Sequence, residues 1–149
     1  MWLSAYQTKK LLDAHDTGKL SVKVTLDLGL TESEVQIAGD IFGFPGEQKL
    51  TLADIKKIIK NPTVCFFIEE SQPKKIHWFS EETNNFYKLV PSGMDSPPTF
   101  EISGIKMHMV KEFNPLDDTK RKIAAAAPVK GKVLDTCLGL GYTAIEAAK

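Results

Sequence analysis

The last seventeen residues, Val133 to Lys149, constrain this chain more than any other stretch. An apolar run, Val133-Leu-Asp-Thr-Cys-Leu138, leads directly into Gly139-Leu-Gly141 and then into the helix-forming Tyr142-Thr-Ala-Ile-Glu-Ala-Ala. A short apolar run, a glycine pair and a helical stretch read as strand, tight turn and helix start. In a doubly wound α/β domain that corner is where ligand sits, beyond the carboxyl end of the strand. The expectation is a buried strand over Lys132–Leu138 and a helix from Tyr142.

The first hundred residues have a different texture. Ser4 to His15 suits a short helix, stopped by Asp16-Thr-Gly-Lys. Leu20, Val22, Val24, Leu26 and Leu28 alternate as in a half-buried strand. Glu34–Ile37 and Asp40–Phe44 follow as short strands. Leu50 to Lys60 is a helix with Thr51 as N-cap, Asp54 three positions on, and Leu52, Ile55, Ile58 and Ile59 as one apolar face. Further strands are expected over Val64–Ile68, Lys75–Phe79, Phe86–Val90 and Thr99–Ile105. A proline-rich loop fills Pro91–Pro98. After about residue 110, Asp117 or Asp118 caps a helix running through Ala127, ended by Pro128 and Gly131.

The expected organisation is therefore an α+β accessory domain over 1–110, rich in antiparallel hairpins. Residues 111–149 form the start of a doubly wound, Rossmann-like α/β domain, incomplete in this chain. The sequence stops within the last helix, so it is expected to be the N-terminal portion of a longer enzyme, inactive alone. A lone strand cannot bury its own apolar surface, so the fragment would lean on the first unit or on self-association.

Composition narrows the function. Nineteen cationic and nineteen anionic side chains balance, and Arg121 is the sole arginine. A protein built to grip phosphate backbones concentrates basic charge and favours arginine, so nucleic acid is not the favoured partner. Cys65 and Cys137 lack metal-ligand spacing and sit in apolar runs, where each reads as a small buried hydrophobe in a reducing compartment. No run has signal-peptide or membrane-span character, so a soluble, cytoplasmic protein is expected, with no membrane partner.

The residue types of the turn suit a cofactor. Glycines at 139 and 141 permit tight turning and close approach of ligand, while Asp135 offers a carboxylate at the strand end. Gly139-Leu-Gly-Tyr-Thr-Ala144 formally fits a dinucleotide fingerprint. A pyrophosphate, however, would bring negative charge beside Asp135. A ligand carrying a sulfonium and a protonated amine would be attracted there, so the electrostatics favour S-adenosylmethionine over NAD.

Val133-Leu-Asp-Thr-Cys-Leu-Gly-Leu-Gly-Tyr142 resembles motif I of the class I S-adenosylmethionine-dependent methyltransferases: two apolar residues, an acid, an apolar residue, then Gly-x-Gly-x-Gly. The stretch from Gly104-Ile-Lys-Met-His108 through Asp118-Thr119 to Ile145 is similar to predicted archaeal methyltransferases with a β-rich N-terminal region. The resemblance implies that Asp135, Gly139 and Gly141 line the methionine end of the donor. Thr136, Tyr142 and Thr143 flank the turn and complete the candidate cofactor-binding set. Cys137 departs from the pattern, standing where the family has its first glycine. No catalytic residue is assigned, no metal is expected, and the methyl acceptor is unknown.

Two rival readings stay open. A non-catalytic binding module would use the first hundred residues to recognise a partner or RNA, with Trp78, Phe79, Phe86 and Tyr87 as stacking rings. A nicotinamide-dependent oxidoreductase fragment would keep the fold and change the cofactor. His15, His77 and His108 are scattered; His108 is singled out because it leads into the second unit.

Overall fold

The computed structural model describes residues 1–27, 29–108, 114–126 and 131–149. The described chain forms three small antiparallel sheets and four helices. The first sheet joins β1 (Trp2–Leu3), β6 (Phe66–Glu69) and β7 (Gln72–Lys75) in the order β1-β6-β7. The second is a meander of β2 (Ser21–Thr25), β3 (Glu32–Ala38), β4 (Ile41–Gly43) and β5 (Lys49–Thr51). The third runs β11-β10-β9-β8, from β8 (His77–Ser80), β9 (Asn85–Val90), β10 (Thr99–Ile102) and β11 (Ile105–Lys106).

Local chemistry sets the helix starts. Helix α1 (Ala5–Asp16) begins at Ser4, whose hydroxyl and backbone share a capping box with Gln7. Helix α2 (Leu52–Ile59) begins at Thr51, with the reciprocal bonds to Asp54 in place. Helix α3 (Pro115–Ala126) starts one turn earlier than its aspartates suggest. Asn114 Oδ1 accepts from the amides of Leu116 and Asp117 at 2.9 and 3.0 Å, and Pro115 fills the first helical position, where a missing N–H costs nothing.

The core lies between α1, α2 and the first two sheets. Leu3, Leu11, Val24, Val35, Phe42, Leu50, Ile55, Ile58 and Phe66 are each at most 1% exposed and belong to one cluster. The first and third sheets are stitched together by three backbone bonds. Cys65 N donates to Leu89 O, Ile76 N to Cys65 O, and Leu89 N to Ile76 O, all within 2.8–3.0 Å. These bonds explain why Lys75–Phe79 is not one strand. Around Ile76 the chain leaves the first sheet and enters the third.

A second expected strand, Thr99–Ile105, is also two. Ser103 and Gly104 take left-handed φ of 46° and 91°, the two-residue hairpin turn that folds β11 back on β10. The apolar residues on either side of the turn read as a single run in sequence.

The expected start of a doubly wound domain is overturned. Lys132–Leu138 is not a strand, and it pairs with no strand among the described residues. Its apolar members face water: Val133 is 57% exposed, Leu134 85% and Leu138 55%. Apolar sequence alone does not make a strand, because strand backbone needs a neighbour to bond to. The described residues show no alternation of parallel strand and helix, and the architecture is a small β-rich domain. Cys137, expected to be buried in that strand, is exposed, whereas Cys65 is buried. The expected division near residue 110 falls outside the described residues, as do Leu28, Ala127 and Pro128. No helix among the described residues is long and apolar enough to cross a membrane.

Candidate functional site

Gly139 and Gly141 both lie in the left-handed region, at φ of 53° and 78°. Side chains rarely adopt that conformation, which is why this turn requires glycine. A Cβ built on Gly139 would meet only Cys137 O, at 3.9 Å; one on Gly141 would meet only Leu138 Cδ1, at 4.0 Å. The turn is therefore open on its outer surface, and a ligand can approach its backbone. Gly141 N donates to Leu138 O at 2.8 Å and closes the turn, from which the short helix α4 (Tyr142–Ala147) departs.

Asp135 braces the turn from within. Its Oδ1 accepts from Cys137 N at 3.0 Å and its Oδ2 accepts from the Thr143 hydroxyl at 2.7 Å. Each carboxylate oxygen keeps a lone pair for another donor. Tyr142 is fixed from the far side, its hydroxyl donating to Pro98 O at 2.9 Å. Burial pushes the Tyr142 phenol up to about 12, so it stays protonated and holds that bond at any ordinary pH.

Three clefts adjoin this turn, and they divide the expected site residues. Asp135, Thr136 and Thr143 line one of about 260 Å³, together with the apolar side chains of Ile123, Val133, Leu134, Ala144 and Ala147. Gly139, Tyr142 and Thr143 line a second of about 250 Å³, which also takes in Phe100, Met107, His108, Lys122 and Cys137. Thr143 is common to both. Tyr142 and Leu140 also border a third cleft of about 440 Å³, running past Trp2, Leu89, Pro97, Pro98 and Ile145, with Asp27, Asp95 and Glu146 among its charged members. Gly141 lines none of the three; its part is the turn itself.

Sequence reasoning missed most of the second cleft. His108 is there because the Ser103-Gly104 hairpin folds it back beside Thr99, whose hydroxyl lies 3.1 Å from His108 Nδ1 and accepts from His108 N. Burial, then the charge on Lys122, lowers the His108 pKa, partly offset by Asp118. The ring is thus neutral at physiological pH. Lys122 is itself bridged to Asp118 at 2.6 Å. The Ser-Gly dipeptide was the available signal for this arrangement. Among the described residues no group of three or more His, Cys, Asp or Glu side chains could hold a metal ion.

No family model matches the chain. It is similar to the Methanocaldococcus jannaschii protein described as "Uncharacterized protein MJ1233", with 46% identity over 129 residues. That alignment covers 83% of this chain and 42% of the relative, so the chain spans less than half the length of the curated relative it matches.

Proposed function

We propose that this chain is part of an S-adenosylmethionine-dependent methyltransferase and that the donor is received at the Asp135 cleft. One observation carries the reading: a carboxylate held by both oxygens at the wall of an otherwise largely apolar cleft, directly before a glycine turn open to ligand. Charge decides the cofactor class. At the effective dielectric of a protein surface, opposite unit charges 4 Å apart attract by about 4 kcal/mol, and like charges repel as strongly. Asp135 therefore favours a ligand with sulfonium and ammonium groups and opposes a dinucleotide pyrophosphate.

The residues present fit such a donor. Asp135 and the hydroxyls of Thr136 and Thr143 would meet its amino-acid end. Ile123, Val133, Ala144 and Ala147 offer apolar surface. When bound, S-adenosylmethionine supplies a methyl group made electrophilic by its sulfonium. The chain's own contribution is to bind and orient. The activity belongs to the whole protein, and its free thiols suit a reducing compartment such as the cytoplasm.

Calorimetric titration with S-adenosylmethionine and, separately, with NAD tests the reading. Asp135→Asn retains an oxygen for Cys137 N and a polar partner for Thr143 while removing the charge. It should weaken donor binding by about tenfold, roughly 1.4 kcal/mol, with an unchanged melting temperature. Preference for NAD, or an Asn variant that binds the donor as well as the parent, would sink the reading.

A further inference from the structure

The second cleft is walled by aromatic rings from two parts of the fold. Phe100 belongs to a cluster on one face of the third sheet. The Trp78 and Tyr87 rings lie 5.1 Å apart at 15°, and the Tyr87 and Phe100 rings 5.6 Å apart at 23°. His108 and Tyr142 form another pair, 5.2 Å apart, lining the same cleft. Trp78 is 49% exposed and Met107 43% exposed, so the cluster forms an open surface leading to the cleft. We propose that this cleft is the acceptor pocket, that it takes a planar heteroaromatic ring of nucleobase type carried by a small molecule, and that the Trp78–Tyr87–Phe100 cluster is its approach. The acceptor role rests on the methyltransferase reading; the ring-binding pocket does not.

Size and charge both select the occupant. About 250 Å³ falls below the roughly 300–1,000 Å³ of pockets for drug-sized ligands, and suits one or two fused rings. Stacking between aromatic walls accepts a flat π-system of any substitution pattern. Thr99 engages His108 Nδ1, which leaves Nε2 as the ring atom available to hydrogen-bond the edge of a heterocycle. Lys122, the lysine that lines the cleft, is already paired with Asp118 at 2.6 Å. A surface that follows a phosphate backbone needs cations in surplus, so a small molecule is favoured over a polynucleotide.

The test is saturation-transfer difference NMR on the protein with uridine, cytidine and guanosine, with ribose 5-phosphate as the control lacking a base. Base protons of at least one nucleoside should saturate strongly, with and without S-adenosylmethionine present, and ribose 5-phosphate should not. Phe100→Leu and the surface substitution Met107→Glu should each weaken binding by at least about fivefold. Phe79→Ser, on the opposite face of the sheet, should leave it unchanged. The Met107 variant keeps the test decisive should loss of Phe100 disturb the sheet. Absence of base saturation, displacement of the nucleoside by S-adenosylmethionine, or indifference to Met107→Glu would overturn the pocket. So would a single-stranded RNA decamer bound far more tightly than any nucleoside and with steep salt dependence. Donor binding without nucleoside binding removes the pocket alone; nucleoside binding without donor binding removes the methyltransferase reading and leaves the pocket standing.

Discussion

His15 and His108 are displaced from the ordinary imidazole pKa of 6.5 in opposite directions. His15, at the end of α1, contacts Asp16 through Nδ1 at 3.0 Å and Asp40 through Nε2 at 3.1 Å. The bond to Asp16 raises its pKa most, desolvation pulls back, and Asp40 adds to the rise. His108 is lowered, first by burial and then by Lys122. The linkage signs are opposite too. The His15 contribution to stability is complete below pH 6.5 and fades as pH rises through its elevated folded pKa. The His108 contribution is complete above pH 6.5 and fades as pH falls through its depressed folded value. A proton NMR titration should give His15 a midpoint above 6.5 and His108 one below it, and Lys122→Met should raise the His108 midpoint. A His108 midpoint at or above 6.5 would contradict the cleft as described.

Elements whose ends carry their own chemistry were legible in the sequence. Thr51-Leu-Ala-Asp54 announces a helix start through a reciprocal pair of bonds, and the structure forms both. Thr51→Ala removes one of them at an exposed site. It should cost about 1 kcal/mol and lower the melting temperature by about 2–4 °C for a chain of this size. Ser4→Ala should cost more, because Ser4 is buried and its partner Gln7 also donates to Met94 O at 2.8 Å, tying α1 to the proline-rich loop. Thermal melts of the two variants test the ranking; equal losses would mean the Gln7 bridge adds nothing. Strands were read less well for an identifiable reason. Their length is set by where a partner begins and ends, and alternation in sequence does not record the partner. Ile76 switches sheets inside one apolar run, Ser103-Gly104 reverses inside another, and Val133–Leu138 has strand-like sequence with no strand beside it among the described residues. The glycine turn was legible because positive φ is a local demand. The cleft that Phe100, Met107 and His108 build across the turn was not, because it depends on a hairpin that brings residue 108 back to residue 99.

At the scale of the molecule, stability and candidate function occupy different regions. The buried cluster draws its residues from Leu3 to Ile68, whereas the third sheet carries exposed rings on both faces, Trp78 on one and Phe79 and Phe86 on the other. Residues 131–138 are mostly exposed and join no ladder among the described residues. Regions with few buried apolar contacts open at lower free energy than the core, and binding surfaces are drawn from them. Hydrogen exchange should therefore be slowest in α1, α2 and β2–β6, faster in β8–β11, and fastest at 132–138. A ligand that binds only the closed arrangement stabilises it by mass action. S-adenosylmethionine should accordingly slow exchange at the amides of Thr136, Cys137 and Thr143, in and beside the Asp135 cleft, while leaving the core amides unchanged. Protection confined to the Asp27–Asp95 side of Tyr142 would move the donor to the cleft of about 440 Å³. The two results are distinguishable because the Asp135 cleft and the cleft of about 440 Å³ share no lining residue.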